Sequence, residues 1–170
     1  MNTFKKIIVV SKKDKSRGPM AAAILGRLLK DKGFIIESRG LIVLFPEPYN
    51  PKAIEMGRSK GMNLQSTFSR QLEASDFDLN TLVLTMDEDQ KEKIYAKYPE
   101  ARNVFTLCEF AGETKKELPN PYGKDEEAYR ECFDMLYGVV FKAADALLGV
   151  SNTMREKNST GGYIDDSNRQ

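Results

Sequence analysis

The sequence predicts a doubly wound α/β domain built on four parallel strands, and three observations carry that expectation. Short apolar runs suited to buried strands recur at Ile7–Val10, Phe34–Ser38, Leu82–Met86 and Asn103–Leu107. Stretches of helical periodicity alternate with them. A polar loop joins the first run directly to a helix and a second strand, which is the layout of a βαβ unit with its loop at the carboxyl end of strand one.

Each element has its own local signal. Ile7-Ile-Val-Val10 is β-branched and continuously apolar, as a strand buried on both faces should be. Pro19 stands where a first-turn helix proline belongs, and Ala21, Ile24, Leu25, Leu28 and Leu29 then form one helical face before Gly33. Leu41 to Tyr49 reads as a connecting segment. Asn50-Pro51 opens a short helix that closes at Gly57 or Gly61. Asp87 and Gln90 have capping-box spacing for a helix that runs to about Tyr98, where Pro99 ends it. From Gly123 to Leu148 the apolar set Ala128, Cys132, Met135, Leu136, Val139, Val140, Ala143 and Leu147 predicts a long amphipathic helix. Residues 151–170 are almost without apolar side chains and read as a disordered tail, leaving 1–150 as one domain.

Composition narrows the function classes. A net charge of +1 over 170 residues gives no global pull toward nucleic acid or an anionic membrane. The opening Met1–Val10 has too short an apolar run for a signal peptide, no segment is long enough for a membrane span, and a cytoplasmic setting is expected. Cys108 and Cys132 read as buried small hydrophobes rather than a disulfide. The chain has no histidine, which removes any Ser-His or Cys-His relay and the main ligand of the usual zinc sites.

In a doubly wound fold, ligands settle where strand one meets its helix. Here that stretch is Ser11-Lys-Lys-Asp-Lys-Ser-Arg17-Gly-Pro-Met-Ala. Helix-start amides and an arginine fork would make an anion cradle from Lys12, Lys13, Asp14, Lys15, Ser16, Arg17 and Gly18. The residues alone fit a solvated basic turn equally well.

The stretch resembles the signature of the low-molecular-weight protein tyrosine phosphatases, Cys-x5-Arg-Ser-Pro-x-Ala-Glu-Ala after strand one. Ser11 lies where the nucleophilic cysteine belongs, Arg17 matches the phosphate-binding arginine, and Pro19, Ala21 and Ala23 match as well. Before the last helix that family carries its general acid in an Asp-Pro-Tyr motif. This chain reads Leu118-Pro-Asn-Pro-Tyr-Gly123, with Asn120 in the aspartate's place. Glu37-Ser-Arg-Gly40, Leu82-Val-Leu-Thr-Met86 and Thr106-Leu-Cys-Glu-Phe110 resemble bacterial members too. The resemblance spans roughly residues 5 to 149 and implies a flavodoxin-like fold, no cofactor and no metal. It also places Phe45, Tyr49 and Tyr122 at the pocket mouth, where core or rim packing is the equal alternative.

The departures fall on the chemistry. Family catalysis attacks phosphorus with a thiolate and protonates the leaving phenol with the aspartate. Serine is not ionised by a helix N-terminus, and asparagine gives up no proton at useful pH. Lys13 stands in place of the family's loop glycine, where positive φ would strain it. Asp14 replaces an asparagine and adds a charge that repels phosphate, Gly18 replaces a serine, and Ala22 a glutamate. Lys12, Lys13, Asp14 and Gly18 serve no purpose in an engineered substrate trap, which favours natural degeneration. The expectation is an inactive pseudophosphatase that holds phosphate, sulfate or a phosphorylated protein weakly, with no nucleic-acid or membrane partner. The alternatives are an active enzyme using Asp14 as nucleophile with Asp125 or Glu126 as acid, and a structural or oligomeric partner with a vestigial pocket.

Overall fold

The computed structural model describes residues 4–64, 68–113 and 115–159, with side chains up to residue 149. Four strands, β1 (Lys6–Ser11), β2 (Ile35–Gly40), β3 (Thr81–Thr85) and β4 (Val104–Thr106), form one sheet in the order β2-β1-β3-β4. Every pairing is parallel, with Ile7 opposite Ile36 on one side and Leu82 on the other. The expected four-stranded doubly wound sheet is therefore present.

The continuous apolar run of β1 serves two cores by the alternation of a strand. Ile7 and Val9 pack with Met20, Ile24 and Leu25 of α1 (Arg17–Leu28) and with Tyr129, Phe133 and Leu136 of the last helix. Ile8 and Val10 face the other way, onto Leu72, Phe77, Ile94 and Tyr98. Ile7 through Val10 are all fully buried, which leaves the carboxyl end of β1 as the place where the chain must emerge into a loop.

Helix α2 (Pro51–Ser59) starts as expected, with the Asn50 side chain accepting from the Lys52 amide at 2.9 Å. It ends before Gly61, whose φ of +73° suits glycine. Helix α3 (Glu88–Lys97) is capped by Asp87, which accepts from the Gln90 amide at 2.9 Å. Gln90 does not complete the expected box; its side chain accepts from Met86 instead. The fourth strand is shorter than expected. Thr106 and Glu109 form a reciprocal capping box that turns Leu107 into the first residue of α4 (Leu107–Phe110).

The last helix, α5 (Glu126–Ser159), begins where Asp125 accepts from the Ala128 amide at 3.0 Å. Its buried stripe includes Tyr129 and Phe133, whereas Ala128 and Met135, expected on it, are only partly buried. The helix runs beyond the boundary expected at residue 151. Polar residues there argue against burial, yet Met, Arg, Glu and Lys are good helix formers, so composition alone does not end it. Residues 160–170 of the expected tail lie outside the described residues. Among the described residues no helix is long and apolar enough to cross a membrane.

Candidate active site

The loop from Ser11 to Gly18 is held from outside by its carbonyls. Ser11, Lys12 and Lys15 accept from the amides of Leu41, Ile42 and Asn50 at 3.0, 3.0 and 2.9 Å, and Ser16 accepts from Met20 at 3.1 Å. Among the described residues, none of the amides of residues 12–18 donates to a backbone carbonyl outside the regular elements. A run of outward-bonded carbonyls and unused amides at a helix start is an anion-binding concavity. The connecting segment after β2 is thus the clamp of the loop rather than a passive link. It is pinned in turn by Gln71, whose side chain accepts from the Val43 amide and donates to the Leu41 carbonyl, both at 2.7 Å.

Gly40 is the tightest point of that clamp. A Cβ there would stand 2.5 Å from Val43 Cγ2 and only 3.0 and 3.1 Å from backbone atoms of Lys13 and Asp14. Gly40→Ala is expected to cost about 1–3 kcal/mol by overpacking against backbone that cannot swing away. Denaturant titration checks it, and a loss that is not accompanied by weaker anion binding would separate the clamp from the cradle.

The left-handed residue of the loop is Asp14, with φ of +55°. Lys13 is not among the residues with positive φ, so the strain expected there is absent. Aspartate tolerates this region far better than a long side chain does. Asp14 is also not a free charge facing the cradle: it is 1% exposed, and its Oδ2 accepts from the Arg70 amide at 2.9 Å. Burial pushes its carboxyl up to about 6, although Ser38, the Arg70 amide and the charges of Arg39 and Arg70 pull the other way. Ser38 Oγ makes its hydrogen bond with the Tyr49 hydroxyl, and Asp14 Oδ1 is left without a partner. Such a buried carboxyl is unsuited to the nucleophile role considered from sequence.

Arg17, the first residue of α1, is half-buried, and its Nη1 donates to the Leu118 carbonyl at 3.3 Å. Desolvation lowers its pKa, but a guanidinium keeps its charge. Lys13 Nζ sits 5.3 Å from the centre of the Tyr122 ring. These two contacts bring the loop and the segment Leu118–Gly123 together across about a hundred residues of chain, as the two sequence motifs anticipated. Asn120 is exposed and uses its Oδ1 to accept from the Tyr122 amide at 3.2 Å. Ser16 Oγ shares a 3.1 Å hydrogen bond with the Tyr129 hydroxyl, fastening the loop to α5.

The remaining expected site residues divide. Lys12 and Lys13 are exposed, while Lys15 is paired with Glu47 at 2.8 Å and adds less free charge than its position suggests. Phe45 and Tyr122 are 76% and 62% exposed at the rim. Tyr49 is 4% exposed, so it is a packed residue behind the loop rather than a solvent-facing wall. Asp125 is engaged as the cap of α5 and Glu126 is its exposed first residue. Arg70, Arg39 and Gly40 were missed as loop-supporting residues; only the tetrapeptide Glu37–Gly40 carried a signal for the last two. Arg39 is 4% exposed and bridges Glu37 and Asp76 behind the loop. A cavity of about 680 Å³ between α1 and β2, lined by Arg27, Ile36, Arg39, Tyr49 and Arg70 among others, includes none of residues 11–18.

A family model for low molecular weight phosphotyrosine protein phosphatase matches residues 6–153. The chain belongs to that family. It is 29% identical over 137 residues to the low molecular weight protein-tyrosine-phosphatase PtpB of Staphylococcus epidermidis, covering 81% of this chain and 95% of the relative. The YwlE arginine phosphatase from Geobacillus stearothermophilus superposes with a TM-score of 0.80 at 28% identity, covering 88% of this chain and 96% of that one. A cysteine-to-serine mutant of a YwlE arginine phosphatase, with its active site serine phosphorylated, superposes with a TM-score of 0.77 at 27% identity, covering 84% and 95%. For a low molecular weight phosphatase, the strand-one loop and the segment before the last helix are where the sequence signature puts the chemistry. Both free cysteines are buried: Cys132 lies in the core with its thiol pushed up to about 11 by burial, and Cys108 is raised by burial too. Burial keeps both thiols protonated, and the Cys132 thiol donates to the Pro119 carbonyl at 3.5 Å.

Proposed function

We propose that this family member holds phosphate or a phosphorylated protein in the Ser11–Gly18 loop without turning it over. The observation that carries the reading is the pairing of loop amides that donate to no backbone carbonyl with altered reacting groups. The unused amides of residues 12–18 and the guanidinium of Arg17 support anion binding. Ser11, in the nucleophile's position, has a buried hydroxyl with no hydrogen-bond partner and no histidine to take its proton. Asn120, in the acid's position, offers an amide already engaged in its own turn. The names of the relatives make phosphotyrosine and phosphoarginine the partner chemistries to try first. The two unpaired, buried thiols support a cytoplasmic setting.

The test is a phosphate and sulfate titration followed by amide NMR, alongside a hydrolysis assay. The expected binding is weak, salt-sensitive and centred on residues 12–18, and Arg17→Ala removes it. Steady hydrolysis of aryl phosphate stays at the buffer blank. Continuing turnover by purified protein that disappears in Arg17→Ala would make the chain an enzyme. Silent amides would make the pocket vestigial and the chain a structural partner.

A further inference from the structure

Asp14 stands in the middle of the Ser11–Gly18 loop, yet its carboxyl is buried at 1% exposure. Its Oδ2 accepts from the Arg70 amide, whereas its Oδ1 has no partner. Oδ1 lies beside the bare Cα of Gly18, where an added Cβ would stand 3.7 Å away. Gly18 is the second residue of α1, so the carboxyl is buried next to the helix-start amides that an anion would use. A carboxylate left half-satisfied at that place is costly to keep charged.

Little around it offsets the charge. Arg39 of β2 already bridges Glu37 and Asp76, and the Arg70 side chain is exposed, where water and salt screen it. Ser11 and Gly18, on the β1 and α1 sides, carry no charge. Within the loop, Lys12 and Lys13 are exposed and Lys15 is paired with Glu47.

Resting on the phosphate-holding reading above, we infer that the Ser11–Gly18 loop binds an oxyanion together with one proton taken up by Asp14, so that the site fills as pH falls and empties as pH rises. An oxyanion on the loop amides and an ionised carboxyl buried beside them repel each other, and the weakly polar interior extends that repulsion. A proton on Asp14 removes it.

Burial already holds the Asp14 carboxyl up at about 6, and a bound anion pushes it further toward neutral pH. Well below that value Asp14 is protonated in the empty and the filled loop alike, and affinity is highest. As pH rises the empty loop loses its proton first, and affinity falls until the filled loop has lost its own. The chain has no histidine, so no imidazole titrates in this window. The coupling is an equilibrium among protein, anion and buffer. A buried carboxyl reaches it through local opening, and no fast proton route is needed.

The experiment titrates sulfate into the full chain and into Asp14→Asn, followed by amide NMR at about pH 5 and about pH 7.5 at constant ionic strength. Calorimetry near pH 6.5 in two buffers of different ionisation heat counts the protons. Sulfate keeps both charges over this range, so the protein alone titrates. The affinity of the parent chain is expected to fall about five- to tenfold from the lower pH to the higher, with about half a proton taken up per sulfate near pH 6.5. Asp14→Asn binds at both values as the parent does at the lower one, and takes up no proton. Equal affinity at the two values, or no proton uptake, in a parent chain that binds sulfate overturns the inference and leaves the phosphate-holding reading standing. So does a pH dependence that Asp14→Asn retains, or a loss of binding in that variant alone. Sulfate that perturbs the loop amides of neither protein at either pH overturns the reading and the inference together.

Discussion

Asp14→Asn is expected to stabilise the protein by about 1–3 kcal/mol near neutral pH and by much less near pH 4. The usual aspartate value of 3.8 rises to about 6 in the fold, chiefly through burial. The folded state therefore holds the Asp14 proton more tightly than the unfolded chain does. Folding is unaffected by this group only well below about pH 4, where both states are protonated. Stability then falls as pH rises from about 4 to 6, and the full cost persists above that. Asparagine has the same shape, keeps an oxygen for the Arg70 amide and carries no charge to desolvate. It also tolerates the φ of +55°. Denaturant unfolding of both proteins at pH 4 and pH 7.5 is the measurement. A gain of equal size at both values would show that the charge of Asp14 is not what the fold bears.

The same residue shows where sequence reasoning reached and where it stopped. The sheet was legible because its signals are local: the run Ile7–Val10, Pro19 in the first turn of α1, and Asn50-Pro51 at the start of α2 each act within a few residues. The loop was legible because its motif is contiguous. The environment of Asp14 was not, since it depends on the Arg70 amide 56 positions away and on packing that removes the carboxyl from water. An exposed charge and a buried one are the same letter. Tyr49, left open between pocket mouth and core packing, falls to the core for a similar reason, because its hydroxyl finds Ser38 at 3.3 Å and the residue is 4% exposed. Lys13 was assigned the strained position because it replaces a glycine in the pattern, whereas the loop places its left-handed turn one residue later. Leu107 and the continuation of α5 were misread as strand and tail because apolar and polar composition were weighed above capping and helix propensity.

Restoring the reacting groups is expected to produce catalysis that the buried charge still limits. Ser11→Cys supplies a thiol at the head of α1, where unused amides favour the thiolate, and the bare Cα of Gly18 leaves space beside it. Adding Asn120→Asp supplies an acid for the leaving phenol and should raise the rate on aryl phosphates about 10²- to 10⁴-fold over Ser11→Cys alone. Asp14 works against both, because a carboxylate close to the thiol disfavours the thiolate, and each pKa unit is a factor of about ten in its population. Asp14→Asn in the double variant should therefore increase turnover near neutral pH by about tenfold. Rates on p-nitrophenyl phosphate across the set of variants decide the matter. If Asn120→Asp adds nothing, the Leu118–Gly123 segment does not deliver its side chain to the reacting phosphate. If Asp14→Asn leaves the double variant unchanged, the buried carboxylate does not act on the thiol.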